Sequence, residues 1–260
     1  MYIRSVQSDL ALALRLADAA DEISLTRYRA HDLVVESKPD LSPVTDADRA
    51  VEAAMRNLLA EHRSQDAIHG EEFGRTEGAR QWIIDPIDGT KNFMRGVPVW
   101  ATLIALAVDG ESTIGVVSAP AMGRRWWAHV GHGAFTRGPE SPHERRIHVS
   151  AIARLEDASF AYSDAVGWGS SVAGFTSIVE GTWRQRAYGD FWSHMLVAEG
   201  AVDIAAEPAL QIYDLAALLP IVGEAGGRAT TFGGASALGN GSLLTTNGRL
   251  HAQACALLGE

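Results

Sequence analysis

A chain of 260 residues, 47% hydrophobic and 21% charged, has the mixture of a folded protein and the length for one large domain or two modest ones, which excludes a disordered chain. Its 22 basic and 32 acidic residues leave a net charge of −10, so the electrostatic footprint of a nucleic-acid or anionic-membrane binder is absent. The single cysteine, Cys255, excludes an intrachain disulfide and fits a reducing compartment.

The stretch MYIRSVQSDLALALRLADAADE is interrupted by Asp9, Arg15 and Asp18, so it does not read as a signal peptide. No later apolar run is long enough for a bilayer, and a cytoplasmic protein with no membrane partner is expected. From about Ser8 to Tyr28 a helix is predicted, with Leu10, Ala13, Leu14, Ala17, Ala20 and Leu25 as its apolar stripe. LVVESKPDLSPVT, broken by Pro39 and Pro43, reads as extended. In the helix that follows, Thr45 and Asp48 have capping-box spacing, and Val51, Met55, Leu58 and Leu59 share a face.

A short strand, Asp66-Ala67-Ile68, comes next. QWIID, VWATLIALAV, STIGVVSA and RRWWAHV then alternate with turn signals such as Asp109-Gly110, predicting an antiparallel sheet. GPESPHERR is polar and proline-rich, and is the expected junction between an α+β domain (1–145) and an α/β domain (146–260). Beyond it, strands (ASFAY, RQRAY, VDIAAE, SLLTTN) alternate with helices (near Val172–Val179, FWSHMLVAEG, YDLAALLPIVGEAGG and a closing helix), as in a layered α/β half.

The chemistry concentrates in WIIDPIDGTKNF. Pro86 has no N–H and biases Asp85 toward an extended conformation, so the strand stops there. Asp85 and Asp88 then flank a turn, and Gly89-Thr90 open a segment whose backbone amides suit a phosphate. Acids beside an anion-binding backbone conflict unless cations sit between them. An ordinary Asx turn is the alternative for Asp88-Gly89, but Asp85 leaves a core strand and is not freely hydrated. Glu71-Glu72 follow another strand. Asp46 and Asp214 open helices, where plain capping is the alternative.

Lys38-Pro39-Asp40, Pro43-Val44-Thr45-Asp46, Gly70-Glu71-Glu72, Asp85-Pro86-Ile87-Asp88-Gly89-Thr90-Lys91-Asn92-Phe93, Asp214 and Glu224-Ala225-Gly226-Gly227 together resemble the inositol monophosphatase family of Mg-dependent sugar-phosphate phosphatases. The resemblance runs from about Leu10 to Leu257. It implies a mixed α+β and α/β fold, a layered α-β-α-β-α sandwich, and a homodimer. It further implies that Glu71, Asp85 and the Ile87 carbonyl hold a first Mg²⁺, that Asp85, Asp88 and Asp214 hold a second, and that Asp46 helps place a third. Thr90, paired with Asp46, would orient the attacking water, with no phosphoenzyme formed. The amides of Gly89 and Thr90 would hold the phosphate, with Glu72 and Lys38 in support.

The charges agree with that implication. Five carboxylates and a phosphate ester would share one point, and two like charges about 4 Å apart repel by about 4 kcal/mol at an effective dielectric near 20. All-oxygen ligands suit Mg²⁺ or Mn²⁺ rather than Zn²⁺. Other phosphatase chemistries fail: Cys255 has no arginine after it, and Asp46-Ala47-Asp48 follows no apolar strand. Gly131-His132-Gly133 lacks a third glycine and reads as a turn.

For the leaving group, Asp190 stands after Gly189 where inositol phosphatases carry a small hydroxyl residue, and Glu207 lies seven residues before Asp214. A carboxylate there suits a cationic substrate; capping of the following helix is the alternative for Asp190, and a solvated strand-end acid for Glu207. Arg95–Ala101, Arg124–Ala128, Arg186–Phe191 and Val197–Asp203 resemble the actinobacterial histidinol-phosphate phosphatases of this family, which implies hydrolysis of L-histidinol phosphate. Three features depart from that subgroup: Tyr213 in place of a Trp before the metal aspartate, His194, and the run Ser163-Asp164-Ala165-Val166. An inositol-1-phosphatase, a broad sugar or nucleotide phosphatase, and a non-catalytic phosphate sensor are the competing readings; the last predicts a broken ligand set.

Overall fold

In the computed structural model, which describes residues 2–39, 41–239 and 241–259, the first helix runs Tyr2–Arg27. Asp40 of the phosphatase-like motif lies outside the described residues. Leu12, Ala13, Leu16, Ala17 and Ala20 form the helix's buried stripe, with Leu10 and Leu14 packed at its edge. Leu25 departs from expectation and is 46% exposed. It follows Ala20 by five residues, about 140° around the helix, whereas Ser24 stays on the stripe and is buried. The helix Asp46–His62 starts at the predicted capping box, with both halves formed, and buries Val51, Met55 and Leu59 with Leu58 alongside.

These two helices cover one face of a seven-stranded sheet. Its strands are, in order, Ala67–Gly70, Arg80–Asp88, Ala101–Val108, Glu111–Ala119, Arg124–His129, Gly133–Gly138 and Ser141–Arg146. The first pair is parallel and the rest are antiparallel. Asp109 and Gly110 both take positive φ (52° and 82°), as a two-residue hairpin turn demands. Gly131-His132-Gly133 is indeed a turn between strands. Within GPESPHERR, Ser141–Arg146 forms a strand at the sheet's outer edge. Its exposed Glu144, Arg145 and Arg146 give no burial alternation to read, and pairing rather than packing defines it.

A second sheet has the order Arg184–Arg186, Ser159–Ala161, Ile204–Leu210, Gly241–Thr246, Arg228–Thr230. Between the sheets lie the helices Asp190–Ala198, Ile212–Leu215 and Leu218–Glu224. Phe191, Met195, Ile221 and Val222 from these helices share one core with Leu103 and Val117 of the first sheet and Leu243 of the second. Helices Val172–Gly181 and His251–Leu258 cover the far face, with Ile178 and Leu258 against Phe160, Ile204 and Leu244. The layers are therefore α-β-α-β-α, as expected. Among the described residues, no helix is long and apolar enough to cross a membrane.

Candidate active site

The site forms where strand ends from the first sheet meet the helices of the middle layer. Parallel pairing sets Gly70 opposite Ile84, so Glu71 leaves its strand beside Asp85. The strand does not stop at Asp85 as expected but runs on through Pro86 to Asp88, because Asp88 still pairs with Ala101, and regular alternation along it would send Asp85 and Asp88 to opposite faces. The pairing shifts register between them, and the Thr102 hydroxyl holds the Pro86 carbonyl at 2.8 Å, which lets both carboxylates converge. Carboxylate oxygens of Asp85, Asp88 and Asp214 lie within 4.8 Å of one another. Asp214 arrives from the helix Ile212–Leu215, where it also accepts the Gln211 amide at 2.7 Å; it caps its helix and joins the cluster. The Asp85 carboxylate accepts the Ile87 amide at 2.9 Å, and Asp88 accepts the Phe191 amide at 2.8 Å, tying the middle-layer helix to the strand end.

Glu71 and Glu72 both face Lys38, whose Nζ lies 2.7 Å from the first and 2.6 Å from the second. Their turn is braced from behind by the buried Glu52, which accepts the amides of Glu72 (2.7 Å) and Phe73 (3.1 Å). A Cβ at Gly70 would fall 1.9 Å from a Glu52 oxygen, so a larger residue there would displace the Glu52 carboxylate from the amides it holds. Sequence reasoning missed Glu52, although a charged residue between Val51 and Met55 on a buried face was a usable signal.

The electrostatics are those of acids held too close. Desolvation is the largest cause raising Asp85 well above the carboxylate range, followed by Glu71, Asp88 and Asp214. Asp88 rises for the same reason, with Asp190 and Asp214 adding to it. Asp214 is pushed up to about 7, chiefly by burial, against the opposing Gln211 hydrogen bond. Burial disfavours the Lys38 ammonium, but its hydrogen bonds to Glu71 and Glu72 outweigh that and raise it. Without a cation, burial and mutual repulsion favour the protonated forms of Asp85, Asp88 and Asp214, and the donors are all oxygen. That combination fits a hard divalent ion.

One expectation is corrected. Asp46 does not pair with Thr90: its carboxylate sits 2.7 Å from Arg27. The Thr90 hydroxyl lies 3.5 Å from Asp48 Oδ1 and 3.0 Å from the Ile87 carbonyl. Asp46 and Asp48 are the first and third residues after the Thr45 cap, about 200° apart around the helix, so only one of them can face the site. Asp48 also accepts the Thr45 hydroxyl and amide, and burial pushes it up to about 6 despite those bonds. Asp48→Asn is therefore expected to lower kcat by about a hundredfold, and Asp46→Asn to have little effect; steady-state kinetics of the pair checks this.

Beside the cluster, a cleft of about 410 Å³ is lined by Glu71, Gly89, Thr90, Asn92, Ser163 and Asp190, among others. Gly89 takes φ +83°, and a Cβ there would meet the Val99 carbonyl at 2.9 Å. Asp190 does not bond its own helix: its carboxylate accepts Asn92 Nδ2 at 3.0 Å, and desolvation raises its pKa. The Ser163 hydroxyl accepts the Asp190 amide at 2.7 Å and donates to Glu207 at 2.6 Å. Glu207 is buried rather than solvated, and that burial pushes it up to about 8. Tyr213, partly buried, sets its ring edge-on to His69 with centroids 6.3 Å apart, packing where a Trp was expected.

The profile of the inositol monophosphatase family matches residues 5–260. The chain belongs to the inositol monophosphatase family. It is 52% identical to a histidinol-phosphatase from Streptomyces coelicolor, over 97% of each chain. It is 54% identical to a histidinol-phosphatase from Mycobacterium tuberculosis, over 94% of this chain and 95% of that one. Among solved structures, the inositol monophosphatase from Zymomonas mobilis superposes with a TM-score of 0.86 at 32% identity, covering 97% of this chain and 98% of its own. The extragenic suppressor protein suhB from Bartonella henselae gives 0.87 at 28% identity, covering 97% and 99%. The family is metal-dependent, in keeping with the all-carboxylate cluster.

Proposed function

We propose that this family member is a Mg²⁺-dependent phosphatase that hydrolyses L-histidinol phosphate to L-histidinol and phosphate, a step of histidine biosynthesis. The observation that carries the reading is identity above 50%, over nearly the whole chain, to two proteins named histidinol-phosphatase. Glu71, Asp85, Asp88, Asp214 and the Ile87 carbonyl would hold two ions, with Mn²⁺ able to substitute, and Asp48 replaces Asp46 as the residue near a third. Bound Mg²⁺ would neutralise the crowded charge, act as a Lewis acid on the phosphate oxygens and lower the pKa of water.

The chain's own groups do the rest. Thr90 Oγ, bonded to the Ile87 carbonyl and near Asp48, accepts a hydrogen bond from the attacking water and fixes its direction, and Asp48 Oδ1 takes up the proton relayed through that hydroxyl. The amides of Gly89 and Thr90 hold the phosphate, with Lys38 and Glu72 close by. On the leaving-group side, Asp190 meets the ammonium of the substrate. We further place the enzyme in the cytoplasm as a homodimer, with its two domains meeting near residues 145–146.

The test is a panel of phosphate esters with Mg²⁺. A kcat/KM for histidinol phosphate at least about a hundredfold above inositol-1-phosphate, fructose bisphosphate and AMP is expected; a clear preference for inositol phosphate would overturn the reading. Asp190 has φ +51°, a left-handed conformation that asparagine also tolerates. Asp190→Asn therefore keeps the backbone and removes the charge. It is expected to raise KM for histidinol phosphate about tenfold, the loss of one charge-assisted bond, and to affect a neutral ester less.

A further inference from the structure

The helix Asp46–His62 turns a polar stripe toward the edge of the site. Asp48, Glu52 and Arg56 are spaced by four residues and lie one above the other on a single face. Asp48 stands near Thr90, whereas Glu52 and Arg56 reach the short loop 70–74 that carries Glu71 and Glu72. That loop closes on itself through the Gly70 amide, 3.1 Å from the Gly74 carbonyl. The helix then grips it at both ends. Glu52 Oε2 accepts the Glu72 amide, Glu52 Oε1 accepts the Phe73 amide, and Arg56 Nη2 donates to the Gly74 carbonyl. Arg56 Nε also lies 2.8 Å from Glu52 Oε1, so the two residues form an ion pair.

A buried carboxylate is costly, and Glu52 is completely buried. Its charge does, however, make its bonds to backbone N–H groups about twice as strong as neutral ones, and Arg56 compensates it. The loop has reason to need that strength. Glu71 reaches Asp85 closely enough for their carboxyls to share a hydrogen bond, and Glu72 adds a further acid beside them. Their mutual repulsion pushes the loop outward. Phe73 is half-exposed, so apolar packing does little to oppose that push. A metal ligand carried on such a loop is placed well only when the groups behind it fix the backbone.

We propose that Glu52 and Arg56 are positioning residues for the Glu71 ion, clamping the loop 70–74 so that the Glu71 carboxylate stands beside Asp85 before a cation arrives. The proposal rests on the metal-dependent reading of the cluster and extends it to two side chains that touch no ion. Asp88 and Asp214 are carried by a strand end and a middle-layer helix rather than by this loop. The ion they share with Asp85 does not depend on the clamp.

The experiment titrates the purified full-length protein with Mn²⁺ at pH 8 and reads free Mn²⁺ by electron paramagnetic resonance. Glu71→Gln identifies which class of ion is held by Glu71. Glu52→Gln, Arg56→Met and Gly70→Ala are each expected to weaken that class at least about tenfold and the other less than about threefold. Gly70 is not left-handed, and the atoms nearest a Cβ there are those of the Glu52 carboxylate, so Gly70→Ala displaces the clamp without altering any charge. An effect of charge alone would weaken binding in Glu52→Gln, tighten it in Arg56→Met and spare Gly70→Ala; that pattern would overturn the proposal. So would a lowered melting temperature with unchanged Mn²⁺ affinity, the mark of a purely structural role. Should Glu52→Gln fail to fold, the half-buried Arg56→Met, Gly70→Ala and the wild-type protein decide. In wild type, the Glu72 and Phe73 amides are expected to be protected from hydrogen exchange in EDTA, and protection that appears only with Mg²⁺ would overturn the clamp. Wild type that binds no Mn²⁺ would sink the metal reading and the proposal together; normal binding with unchanged variants would sink only the clamp.

Discussion

Replacing Asp88 with asparagine is expected to reduce kcat by at least about a thousandfold, roughly 4 kcal/mol of transition-state stabilisation, while the circular dichroism spectrum stays native. Asp88 shares its corner with Asp85 and Asp214 and is held in place by the Phe191 amide. Asparagine keeps the shape and an oxygen to accept that amide but removes the charge. The folded state loses a source of repulsion, so stability should hold or rise without metal, whereas the cluster loses the charge that would bind a cation. The concentration of Mg²⁺ giving half-maximal activity should rise in the same variant. Turnover and Mg²⁺ dependence like wild type would refute the role given to Asp88.

The second large effect concerns pH and metal removal. Asp214 is raised to about 7 and Asp48 to about 6, against 3.8 for an unperturbed aspartate, and Asp85 and Asp88 are raised as well. Between the unfolded and folded pKa values the folded protein binds more protons than the unfolded chain. As far as Asp48 and Asp214 are concerned, stability of the metal-free protein is highest below about pH 4, falls as pH rises from there to about 7, and levels off above the folded values. Raising Asp214 from 3.8 to about 7 corresponds to on the order of 4 kcal/mol at most. In EDTA, the melting temperature is therefore expected to drop by several degrees between pH 5.5 and pH 8. Millimolar Mg²⁺ should raise it most at pH 8, where protons compete least with the ion for the carboxylates. A melting temperature that rises with pH in EDTA, or no effect of Mg²⁺ at pH 8, would contradict the electrostatics.

What the sequence made legible follows from how each signal is encoded. Runs such as QWIID and VWATLIALAV combine apolar character with turn punctuation, so the central strands could be read directly. Ser141–Arg146 has no buried alternation, and its strand state comes from pairing to Gly133–Gly138. The carboxylates at strand ends stood out because acids rarely abut an apolar run. Choosing Asp46 over Asp48 failed for a different reason: both lie in one helical turn, and spacing alone does not say which way that turn faces. Arg27, 19 residues away, decides it by drawing Asp46 outward. Asn92, Ser163 and Glu52 acquire meaning only through partners distant in sequence, for example Asn92 to Asp190 across 98 positions.

The central claim is that Glu71, Asp85, Asp88 and Asp214 converge to bind divalent cations. Anomalous diffraction from crystals soaked in Mn²⁺ tests it most directly. A strong anomalous peak bounded by the oxygens of Asp85, Asp88 and Asp214, with a second between Glu71 and the Ile87 carbonyl, is the predicted result. Those carboxylates splayed apart with no peak among them, at a Mn²⁺ concentration that supports turnover, would contradict the account.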